Sequence, residues 1–231
     1  MTGIEYISLA AVGFASGGAL GCLWPRFFSK KIENDVLIFP DEKMPCNSFY
    51  TRLNWGEYRR CRRPGCRFAH WEDRPHTSLM KIFMSLNNAV ETIDLCIFKF
   101  TQRNLADFLI TAATRHHVRV RIITDAHVES AQSGSANNRE RQQGLGDRIP
   151  QLQQGGIPIR VNRTDRESAA LMHNKFVIID GKCVLQGSFN WTQAAVMRNH
   201  ETIISTNDKK VVKVFIAQFN RIWSQSEVRA P

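Results

Sequence analysis

Residues 171–191 read LMHNKFVIIDGKCVLQGSFNW. The apolar run after Lys175 predicts a buried strand, Asp180 and Gly181 a turn, and the run after Cys183 a returning strand, so the stretch reads as a hairpin-like pair. Alternate side chains of a strand share one face, which aims His173 and Lys175 at a common point while Asn174 points away. The returning strand delivers Gly187, Ser188 and Asn190 to the same edge. An imidazole, a fixed cation and an amide donor converge there, a set suited to stabilising a pentacovalent phosphorus.

The spacing is H-x-K-x4-D-x6-G-S-x-N, with Glu201 following in RNHE, and at these positions it resembles the HKD signature of the phospholipase D superfamily. The resemblance implies that His173 acts as nucleophile or general acid. Lys175 and Asn190 would hold non-bridging oxygens, Ser188 would assist, and Glu201 would hydrogen-bond the imidazole. Asp180, also in the motif, is expected to organise the turn rather than touch substrate. No catalytic metal is implied. A complete site of this kind uses two motifs, and this sequence carries one. The nearest echo, HVRVRIITD, places His117 and Arg119 before a strand ending at Asp125 and lacks the rest of the pattern. Two identical chains are therefore expected to complete one site as a homodimer.

Around the hairpin, TSLMKIFMSLNNAV has apolar residues at helical spacing, TIDLCIFKF reads as a strand, LADFLITAATRH as a second helix and VRVRIITD as a strand. A polar stretch at 130–147 reads as loop, IPQLQQGG as the end of a short helix and IPIRVN as another strand. The closing KKVVKVFIAQFNRIWSQ sets Val211, Phe215, Phe219, Ile222 and Trp223 on one helical face. DVLIFP is a further strand near the start. The expected fold is α/β: a phospholipase D-like mixed sheet with helices on both faces.

The chain has 231 residues and a formal charge of +10, enough for one sizeable core and a surface that gathers phosphate-bearing ligands. Residues 1–25 are expected to form an N-terminal transmembrane anchor: IEYISLAAVGFASGGALGCLW carries a single charge, Glu5, over a bilayer-spanning length. Arg26, Lys30 and Lys31 follow this segment, which favours an uncleaved anchor with residues 26–231 on the cytosolic side; a cleaved signal peptide is the alternative. Gly13, Gly17 and Gly21 fall on one face of it, as a dimerisation stripe would or as membrane helices commonly have. Cys96 and Cys183 lie in apolar runs and Cys22 in the anchor, which argues against a disulfide framework.

Residues 41–76 form an insertion with little hydrophobic period. Cys46, Cys61, Cys66 and His70 offer three thiolates and an imidazole, a ligand set for structural zinc that would replace a missing core. Arg59, Arg60, Arg62, Arg63 and Arg67 interleave with aromatic residues there, which suits single-stranded RNA; a solvated basic face or anionic lipid heads are the alternatives. Anchor, Cys3His insertion and single HKD motif together resemble the Zucchini, or mitochondrial phospholipase D, family. That resemblance implies a homodimer on the mitochondrial outer membrane. It further implies a metal-independent endoribonuclease of piRNA biogenesis, or alternatively a cardiolipin hydrolase releasing phosphatidic acid.

Overall fold

The computed structural model describes residues 32–41, 77–125, 149–162 and 171–228. The apolar N-terminal segment, residues 42–76 of the insertion and the polar stretch at 130–147 lie outside them. Among the described residues no helix is long and apolar enough to cross a membrane, and no group of His, Cys, Asp and Glu is arranged to hold a metal.

The elements run β1 (Asn34–Phe39), α1 (Ser78–Asn87), β2 (Thr92–Ile97), α2 (Arg103–Arg115), β3 (Arg119–Asp125), α3 (Ile149–Gln154) and β4 (Ile159–Asn162). They continue with β5 (Lys175–Ile179), β6 (Cys183–Gly187), α4 (Gln193–Met197), β7 (Glu201–Thr206), α5 (Lys209–Gln225) and β8 (Glu227–Val228). One eight-stranded sheet has the order β1-β7-β6-β5-β2-β3-β4-β8. Strands β2, β3 and β4 are mutually parallel and all other pairings are antiparallel. The sheet is mixed, as expected.

Helices cover both faces because β2 and β5 have no polar side to give to water. Ile93, Leu95 and Ile97 face a core shared with Leu79, Ile82, Phe83 and Leu86 of α1 and with Leu105, Phe108 and Leu109 of α2. Both helices space these residues at three and four, the period that keeps a stripe on one side, and Thr77 caps α1 by accepting the Met80 N–H at 3.2 Å. Across the sheet, Cys96, Phe176, Ile178 and Val184 meet Val212, Phe219 and Ile222 of α5.

Three details depart from the sequence reading. Val211 was expected on the buried face of the last helix; it is 38% exposed, and Val212 takes its place. Val212 stands about two turns from Phe219 and so shares its face, whereas Val211 is rotated away by about a quarter turn. Second, β2 stops at Ile97, where it pairs with Lys175, the first residue of β5. Phe98, Lys99 and Phe100 leave the sheet instead of extending it. Third, α4, β7 and β8 are elements that the hydrophobic pattern did not announce, each being short or partly exposed.

Candidate active site

The carboxyl ends of β2 and β3 and the start of β5 lie on one edge of the sheet, as their pairing requires. At open α/β sheets this is the edge where ligands bind. His173 sits in the extended lead-in to β5, solvent-exposed, between buried Met172 and half-buried Asn174. Its position is set from below: Met172 donates its N–H to Asp125 Oδ2 at 2.7 Å, and Cys96 Sγ contacts Met172 Sδ at 3.2 Å. Its ring meets Phe98 edge-on, centroids 4.6 Å apart.

Lys175 is buried, its ammonium donating to the His173 carbonyl at 2.8 Å and lying 5.3 Å from the Phe98 centroid. Burial lowers its pKa, Glu201 opposes that by attraction, and Lys99 adds to it by repulsion. The His173 pKa is also lowered, first by desolvation and then by the Lys175 charge, with Asp125 pulling the other way. The ring is thus held toward its neutral, nucleophilic form at neutral pH.

The β6 exit completes the edge. Gly187 is required where it stands: a Cβ there would collide with the Thr202 carbonyl oxygen of β7. Ser188 donates its N–H to that oxygen at 3.0 Å and accepts the Thr202 N–H on Oγ at 3.1 Å. Asn190 Oδ1 accepts the Lys99 N–H at 3.2 Å, which leaves its NH2 group as the donor end of the amide. Residues 99–102 are then laced to Trp191 through Trp191 N–H to Lys99 O at 3.0 Å and the Thr101 and Gln102 N–H groups to Trp191 O at 2.8 and 2.9 Å.

One sequence expectation changes at this site. Glu201 was expected to hydrogen-bond the imidazole; its carboxylate instead accepts from Asn199 Nδ2 at 3.0 Å, and its influence reaches Lys175 through space. The reason is its place at the start of β7, on the Lys175 side of the sheet, where the charge and not the ring is its neighbour. Asp180 organises its turn through backbone donors: at φ 52° it accepts the N–H groups of Val90, Glu91 and Thr92 at 2.8–3.1 Å. That ties the hairpin to the entry of β2. His117, the echo of the motif, lies at the opposite end of β3 from Asp125. Cys46, Cys61, Cys66, His70, Arg59, Arg60, Arg62, Arg63 and Arg67 lie outside the described residues. Sequence reasoning passed over Phe98, Lys99 and Asp125, the last having been read as the end of a core strand.

A family profile described as "Cardiolipin synthase, PLD-like domain" matches residues 82–223, which contain every group just described. The chain belongs to the phospholipase D superfamily. Proteins named mitochondrial cardiolipin hydrolase are similar to it: that of Chlamydomonas reinhardtii is 36% identical over 82% of this chain and 72% of its own length. That of Xenopus laevis is 33% identical over 65% of this chain and 64% of its own, and the Homo sapiens protein 27% identical over 87% and 71%. In fold it is similar to the phospholipase D family member Nuc from Salmonella typhimurium, with TM-score 0.60 at 19% identity, covering 87% of this chain and all of that one. NucT from Helicobacter pylori gives TM-score 0.58 at 19% identity, covering 86% and 100%. This member of the superfamily is a phosphodiesterase by family.

Proposed function

We propose that the chain hydrolyses cardiolipin to phosphatidic acid and phosphatidylglycerol at the mitochondrial surface, working as a homodimer. The observation that carries the chemistry is the meeting of neutral-biased His173, buried Lys175 and the Asn190 amide at one sheet edge. The choice of lipid rests on the names of the similar proteins. One ring nitrogen of His173 attacks phosphorus, and the bond to the leaving glycerol oxygen breaks as that oxygen takes a proton from the partner's His173. Water then attacks the phosphohistidine, giving its proton back to the partner's imidazole and releasing phosphate monoester and free His173. Lys175 and Asn190 neutralise the equatorial oxygens as charge builds. The second imidazole has to come from another copy, because the sequence holds one motif.

An anchor at 1–25 would hold the protein on the outer membrane. A structural zinc on Cys46, Cys61, Cys66 and His70 fits the chemistry of that donor set. A single-stranded endoribonuclease of piRNA biogenesis is the second reading, favoured by the arginine and aromatic content of the insertion; the same residues would cut either phosphodiester.

The test compares the full-length protein with His173→Asn on cardiolipin vesicles and on single-stranded RNA. Cleavage of cardiolipin alone, absent in the variant, is the expected result. Cleavage of RNA alone would replace the lipid reading with the nucleic-acid one. Brief EDTA treatment should leave turnover unchanged; prompt loss restored by Mg²⁺ would overturn the metal-independent mechanism.

A further inference from the structure

Phe98 and Lys99 stand at the reacting edge, yet the reaction above uses neither side chain. The Lys99 peptide is fixed on both sides, its N–H by Asn190 and its carbonyl by Trp191. Its side chain is exposed, with the ammonium 5.6 Å from the Phe98 centroid. The Lys175 ammonium is 5.3 Å from the same centroid and the His173 ring 4.6 Å. One aromatic ring therefore gathers the nucleophile and two cations, and the ammoniums stand no farther apart than the sum of their distances to it.

Their surroundings differ. Lys175 is buried, bonded to the His173 carbonyl and attracted by Glu201. Lys99 forms an ion pair with no carboxylate among the described residues, and in the free protein its charge works against that of Lys175. A single phosphodiester already has Lys175 and Asn190 for its oxygens. A second cation nearby is matched by a second anion.

We infer that Lys99 seats the non-scissile phosphate of a substrate in which two phosphodiesters are joined by a short polyol bridge, and that it selects such lipids over those with an uncharged head. This rests on the cardiolipin reading, since cardiolipin has that head and phosphatidylglycerol carries the same bridge ending in a hydroxyl. Half-buried Phe98 and Leu171, 45% exposed two residues before His173, give the rim an apolar component that suits a glycerolipid.

The inference is tested in two arms on full-length wild type, Lys99→Gln and Lys99→Arg. By calorimetry, wild type should bind glycerol 1,3-bisphosphate about tenfold more tightly than glycerol 1-phosphate, the roughly fivefold worth of one interfacial lysine times the statistical factor of about two for a symmetric ligand. Lys99→Gln should reduce that margin to the roughly twofold statistical preference of a symmetric ligand, and Lys99→Arg should keep it. Equal weakening of both ligands, or of neither, overturns the subsite. On vesicles, Lys99→Gln should raise KM for cardiolipin about fivefold relative to KM for phosphatidylglycerol. If wild type cleaves neither lipid while the bisphosphate preference still depends on Lys99, the cardiolipin reading fails and the subsite stands. If Lys99→Gln impairs cleavage of single-stranded RNA while the lipid ratio holds, the subsite belongs to nucleic acid and the lipid inference is overturned.

Discussion

Asp125, with no solvent exposure, accepts the backbone N–H of Met172 at 2.7 Å, one residue before His173. A carboxylate at the end of β3 thereby sets the height of His173, the proposed nucleophile, in the lead-in to β5. Asp125→Ala removes that acceptor and leaves the Met172 amide unpaired in the interior. Loss of about 1–3 kcal/mol of stability is expected, with kcat falling about tenfold or more in the protein that remains folded. Denaturant melts and steady-state rates at a temperature well below the midpoint separate the two effects; unchanged kcat would show that the carboxylate serves folding alone.

The His173 shift predicts the acid side of the pH profile. A lowered pKa means that the neutral ring persists below the ordinary 6.5, so the acid limb of kcat/KM, set by loss of the neutral nucleophile, should lie below 6.5. In the proposed homodimer the limb would belong to the pair of imidazoles, since they would share one proton at one site. The same sign holds for stability: folding disfavours the charged ring, so its contribution worsens as pH drops below 6.5 and is absent above it. A limb centred above 6.5 would contradict the arrangement of Lys175 beside the ring.

Asp180 carries the D of the motif and yet spends its oxygens on three backbone amides. Asp180→Ala should therefore lower stability by about 2–4 kcal/mol, from orphaned donors together with a left-handed backbone that alanine resists. Folded variant measured in the cold should retain kcat within about threefold of wild type. A hundredfold loss in fully folded protein would put the carboxylate in the chemistry after all.

Lys175 combines the opposite properties. Its ammonium is held where burial lowers its pKa from 10.5, so at neutral pH the folded state carries a charge that water would hold more readily, a penalty that only fades as pH rises toward 10.5. Lys175→Met should cut kcat about 10²–10³-fold and leave stability unchanged or raised by about 0.5–2 kcal/mol. A marked drop in melting temperature would mean that the bond to the His173 carbonyl outweighs the desolvation.

The reacting groups were legible in the sequence to the extent that they are local. His173 and Lys175 are two positions apart and Ser188 and Asn190 follow one turn, so strand periodicity alone brings them together. Lys99 and Asp125 come to that edge through the order of strands, in which β2 lies beside β5 and β3 beyond β2, although about fifty or more residues separate them from β5 in the chain. Nothing in FKF or IITD announces that. Glu201 was found by its spacing, but its partner could not be, because whether a carboxylate meets a ring or an ammonium depends on which side of β7 it leaves. The single-residue error in the phase of α5 has the same origin: Val211 and Val212 are equally apolar, and only the position of Phe219 against Phe176 chooses between them.

The lacing of residues 99–102 to Trp191 has a consequence for how such an enzyme can diversify. Asn190 is oriented by the peptide of residue 99, which any amino acid except proline supplies, while the side chain of that residue is free to differ. Mutation there can retune which molecules are welcomed while the peptide that orients Asn190 stays in place, so recognition and reactivity sit on one loop and are coupled through the charge of residue 99.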